Sequence, residues 1–121
     1  MADLLFFLGV SLLLMHEMDA IDKEEWRLMF VLRKLPREGA LRWFITLHLP
    51  LFVGLLFLVA AGPSSTTRWI EGGVDVFLIA HAALHENLSR TGDRAFANNF
   101  SRTLILLAAA FAAAHLAYVQ F

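Results

Sequence analysis

Four stretches of this chain each come close to the roughly 20 largely apolar residues that a helix needs to cross the hydrocarbon core of a bilayer. They run from Met1 to about Met18, from Leu41 to Ala61, from about Trp69 to Leu88, and from Thr103 to Phe121. Composition agrees with a membrane setting, since 59% of the 121 residues are apolar and 17% charged, against about 45–50% and about 25% in soluble domains. A soluble domain so composed would leave large apolar patches in water. The expected fold is all-α, a single transmembrane domain over 1–121 built as an integral-membrane four-helix bundle.

A secretory signal would carry basic residues ahead of its apolar run and a small-residue cleavage site behind it. Here Asp3 precedes the run Leu4 to Met15 and His16-Glu17-Met18-Asp19 follows it, so the first span is expected to be retained. Between spans one and two, Asp22 and Glu25 have the spacing of a capping box ahead of Leu28-Met29-Phe30-Val31-Leu32. With Trp26 and the cations Lys23, Arg27, Arg33 and Lys34, residues 22–35 suit a short helix lying in the membrane interface, or a cytosolic extension of span one. Gly62 to Thr67 and Ser89 to Asn99 read as loops. Trp26, Trp43 and Trp69 fall near predicted boundaries and read as interfacial anchors.

Lys and Arg accumulate on the cytoplasmic side of membrane proteins. Six of the ten, Lys23, Arg27, Arg33, Lys34, Arg37 and Arg42, lie between spans one and two, and Arg90, Arg94 and Arg102 lie between three and four. Only Arg68 falls in the other connection. Both termini are therefore expected outside a cell inner (plasma) membrane, with the two basic loops in the cytoplasm. A formal charge of −1 gives no electrostatic case for a nucleic-acid partner. The absence of cysteine excludes disulfides, thiolate catalysis and zinc-thiolate sites.

That topology gathers four of the five histidines. His16, Glu17 and Asp19 end span one at its inner turn, His48 lies seven residues into span two, and His81, His85 and Glu86 lie in the inner half of span three. At 1.5 Å per residue these positions share a depth of about 10 Å. His81 and His85, four apart, share a helix face, a spacing that suits one metal ion. Asp19 shares a face with His16, as a ligand or as a carboxylate orienting the imidazole. The expected ligands are His16, Asp19, His48, His81 and His85, with a divalent transition metal such as zinc or iron, and Glu17 or Glu86 as general base. One shared ion requires His16 and His81 within about 10 Å of each other, since ligand-to-metal distances are about 2 Å.

Each of these residues also has a structural reading. His81 and His85 could be polar glue between helices; Glu17, Glu24 and Glu25 could be solvated at the boundary, and Glu86 divides evenly. Pro50 frees a carbonyl in the preceding turn, which would make His48 a structural donor. Asp75, in the apolar zone, needs a partner that the sequence does not name, and His115, past the midplane of span four, falls outside the site.

The elements His16-Glu17-Met18-Asp19-Ala20, Glu25-Trp26-Arg27, His48-Leu49-Pro50-Leu51, Asp75-Val76-Phe77 and His81-x-x-x-His85 resemble a family of small bacterial integral-membrane proteins catalogued as a domain of unknown function. That resemblance implies a four-span membrane fold and no reaction. A looser similarity, in kind only, links intramembrane histidines and an aspartate to membrane hydrolases of the alkaline ceramidase type. Two functions follow as expectations. One is a metal-dependent hydrolase or oxidase of a lipid-like, membrane-soluble substrate; the other is a non-enzymatic assembly partner or sensor with a histidine core, its alanine-rich fourth span docking a second copy.

Overall fold

The structure, a computed structural model, describes residues 1–29, 31–61, 64–90 and 98–120. Phe30, Gly62, Pro63, residues 91–97 with Arg94, and Phe121 lie outside the described residues, and with them most of the expected second loop. The described residues form four long helices, α1 (Ala2–Asp22), α2 (Arg37–Ala61), α3 (Ser64–Arg90) and α4 (Asn99–Gln120), with two short 3₁₀ turns between α1 and α2. Three helical segments, Ala2–Asp22, Arg37–Ala61 and Asn99–Val119, are long and apolar enough to cross a membrane. The fourth, α3, is long enough but carries Arg68, Glu71, Asp75 and Glu86 along its length. It also begins at Ser64, so Ser64 to Thr67 form its first turn and not a loop.

α4 is the hub of the bundle. It packs extensively on α1 and on α3, and Leu13, Leu78, Ala82, Ile105, Ala108 and Ala112 form the buried core where the three meet. α1 and α4 run antiparallel in a register that pairs His16 with Ser101 and Asp19 with Asn98. The same register brings Gly9 against Ala108. A Cβ on Gly9 would sit 3.5 Å from the Ala108 carbonyl oxygen and 3.3 Å from Leu78 Cδ1, so small residues set how closely these helices approach. Ala108 and Ala112 are thus buried within the chain, while Ala113 and Ala114 are exposed.

The single helix expected over residues 22–35 is absent. The Lys23 N–H bonds back to the Asp19 carbonyl, and Glu24 then adopts a left-handed conformation with φ 56°, which turns the chain off the helix axis. Glu24 is held there by ion pairs to both Arg27 and Arg37. The 3₁₀ turns Glu25–Leu28 and Leu32–Lys34 follow. Glu25 makes no capping box because its side chain is buried. Trp26 is no anchor either: only 3% exposed, it packs with Leu32, Ala40 and Phe44 beneath the Arg27 guanidinium. Trp43 and Trp69 are exposed. This small cluster fastens the first turns of α2 to the turn segment, and beyond it α2 meets α3 far less extensively than α4 does.

Candidate metal centre

α1 delivers His16 and α3 delivers His81 and His85 to one point. Nε2 of His16 lies 3.3 Å from Nε2 of His81, and one donor atom from each of the three histidines lies within 4.8 Å of the others. Two nitrogens on a tetrahedral ion at 2.0–2.1 Å are separated by about 3.3 Å, so the His16 and His81 nitrogens already stand at a ligand spacing. The rings meet edge to face, with centroids 5.3 Å apart for His16 and His81 and 4.6 Å for His16 and His85. His16 is fully buried and His85 3% exposed.

A fourth group completes the cluster. Oε2 of Glu25, in the first 3₁₀ turn, lies 3.1 Å from His85 Nε2 and 3.6 Å from His16 Nε2. Its other oxygen, Oε1, is buried with no hydrogen-bond partner among the described residues. A buried carboxylate oxygen so placed is costly unless a cation or donor meets it. Glu25, expected to be solvated at the boundary, is instead buried. The charge pattern of residues 22–35 carries no mark of this, because the chain turns inward at the left-handed Glu24.

The α1–α4 register orients the cluster. Ser101 Oγ lies 2.9 Å from His16 Nδ1, both side chains being buried. With Nδ1–H donating to the hydroxyl oxygen, the His16 Nε2 lone pair faces the other histidines, as an outer hydrogen bond does for a metal-binding imidazole. One turn along, the Asn98 amide donates to Asp19 Oδ2 (3.1 Å), and Asn98 Oδ1 accepts from the Phe100 N–H, capping α4. Asp19 therefore serves the helix register and lies outside the His16, His81, His85 group.

His48 also stays outside that group. Its Nδ1–H donates to the Phe44 carbonyl (2.7 Å), and its Nε2 pairs with Glu17 Oε2 at 3.1 Å. That pair forms the facing wall of a cavity of about 360 Å³ between α2 and α3, which His81, His85 and Glu25 also line. Glu86 turns away to the surface, where Arg102 and Arg90 hold it.

Residues 2–120 match a family of unknown function (DUF6713). The chain belongs to this family. No curated protein and no solved structure matches it. Within this member of DUF6713, the His16-to-Ala20 element and the Glu25-Trp26-Arg27 element, separate in sequence, meet at the histidine cluster through the His16 and Glu25 side chains.

Away from the cluster lies a second buried pair, which supplies the partner that Asp75 needs and joins it to His115. His115 Nδ1 of α4 lies 2.6 Å from Asp75 Oδ2 of α3, both side chains being nearly inaccessible. The signal was available, because Asp75 lies thirteen residues before Leu88 and His115 twelve after Thr103. In helices of opposite direction those counts put the two at one level.

Proposed function

We propose that the chain is an integral-membrane metalloprotein with a His16, His81, His85 and Glu25 centre near the cytoplasmic leaflet. All four helices cross the bilayer in this reading, with both termini outside and the polar α3 shielded by α1 and α4. The supporting observation is the meeting of three imidazole nitrogens with a buried carboxylate whose second oxygen has no partner among the described residues. Three neutral nitrogens and one carboxylate oxygen suit zinc or iron. Such an ion would supply Lewis acidity and an acidified water to hydrolysis or oxidation of a membrane-soluble substrate. Glu17, beside the cavity with His48, is the base in this reading; Glu86 is engaged by arginines elsewhere.

Elemental analysis of protein purified in mild detergent tests the centre. One zinc or iron per chain, lost in His81→Ala together with thermal stability, supports it; no stoichiometric metal refutes it. A second reading has one observation in its favour, because the 3.3 Å His16–His81 contact also fits an N–H···N hydrogen bond. A histidine core of that kind, serving assembly or sensing, predicts that His81→Ala lowers stability in protein that never carried metal.

A further inference from the structure

We infer that the cavity between α2 and α3 binds a single hydrocarbon chain bearing an oxygen function, which enters from the bilayer and sets its oxygen against the histidine cluster. The inference rests on the proposed metal centre for its polar contact. Its own basis is the shape and lining of the cavity, whose volume of about 360 Å³ falls within the roughly 300–1,000 Å³ of small-molecule sites.

Polar groups occur at one level of the cavity. His81, His85 and Glu25 form one wall and the His48–Glu17 pair the other. Toward the basic segment the lining is Phe44, buried in the cluster with Trp26, Leu32 and Ala40, together with Leu88 and the half-exposed Met29, so that end is apolar as well. In the opposite direction along α2 and α3 the lining residues are Leu51 and Phe77, and both are more than half exposed. Phe77 also stacks on the His81 ring at 5.4 Å between centroids. The end at Leu51 and Phe77 therefore has an apolar rim and lies on the far side of the histidines from the basic segment of residues 23–42.

A small polar solute arriving from water would have to cross an apolar rim, either at Phe44, Met29 and Leu88 or at Leu51 and Phe77. A chain already dissolved in the bilayer meets neither obstacle, because its tail exchanges lipid neighbours for Leu51 and Phe77 while only its head changes environment. The head group must accept hydrogen bonds or ligate, since the walls offer imidazoles and a cation site; a hydroxyl, carbonyl or carboxylate oxygen satisfies this.

Cobalt(II)-loaded protein in lipid nanodiscs tests the inference through the visible spectrum of the bound ion. The probes are dodecanoyl hydroxamate and acetohydroxamate, which share a chelating head and differ in the chain. The expected result is a spectral change with dodecanoyl hydroxamate at a total concentration at least 100-fold below any response to acetohydroxamate. Leu51→Trp, which narrows the open end, is expected to weaken the dodecanoyl response at least tenfold with cobalt loading unchanged. Leu47→Trp, on the cavity wall, serves as a second such variant, and Val53→Trp, exposed on α2 outside the lining, is expected to have no effect. Equal responses to the two probes, or a dodecanoyl response indifferent to both wall variants, would overturn the chain site and leave the metal centre standing. Failure of the wild-type protein to bind cobalt would refute the metal centre, and the chain site with it.

Discussion

Replacing Ser101 by Ala should weaken metal binding more than its small chemical change suggests. The hydroxyl lies 2.9 Å from His16 Nδ1 with both residues inaccessible to solvent, so nothing replaces the lost bond and the ring is freed to turn its Nε2 away from His81. Loss of such an outer hydrogen bond typically lowers metal affinity 10–100-fold, or about 1.4–2.8 kcal/mol. The metal-free protein should lose about 1 kcal/mol, the ordinary worth of one buried hydrogen bond. The two effects separate in a melt with and without zinc, alongside competition with a chromophoric chelator. At free zinc 100 times the wild-type Kd, the ion adds about 2.7 kcal/mol to wild-type stability. At the same free zinc, Ser101→Ala should gain only about 1.4 to 0.4 kcal/mol. An unchanged Kd, with only the metal-free melt lowered, would show that the Ser101–His16 bond is structural and would refute its role in aiming a ligand.

Other outcomes follow from the same geometry. Glu25→Gln should lower metal affinity, whereas Glu86→Gln and His48→Ala should leave one ion per chain by elemental analysis, since both of those residues face other partners. Asp75→Leu alone should cost about 1–3 kcal/mol in thermal unfolding because it leaves a buried imidazole nitrogen without its partner, and Asp75→Leu with His115→Leu should cost less than either single change; equal costs would contradict a direct pair. Gly9→Leu should lower the melting temperature by forcing α1 off Ala108 and Leu78, an overpacking cost of about 1–3 kcal/mol or more; a wild-type melt would show that the contact tolerates expansion.

Depth along a helix is written in the sequence through residue counts, and direction around the helix is only partly so. Counting in from the basic loops placed His16, His81 and His85 together, and the i, i+4 spacing of the latter pair fixed their common face. The same count included His48, but depth does not say which neighbour a side chain meets, and α2 directs this one to Glu17. Asp19 does share a face with His16, yet the neighbour on that face is α4, so Asn98 claims the carboxylate while Ser101 meets the imidazole. Glu25 escaped because its placement depends on a left-handed Glu24, a backbone choice that helix signals do not encode. The turn it creates folds a residue from beyond the predicted boundary back into the bundle.

The manner in which α2 is mounted makes it a beam held at both ends. Its foot is clamped by Ala40 and Phe44 on Trp26 and Leu32, and its last residue, Ala61, stands three positions before Ser64, the first residue of α3. His48 lies four residues past Phe44, about 6 Å along the axis from the clamp. The thirteen residues from His48 to Ala61 cover about 20 Å, and the His48–Glu17 contact at 3.1 Å ties the near part of that length to α1. The wall that α2 gives the cavity therefore runs between two supports, and the His48–Glu17 contact braces it beside the histidines.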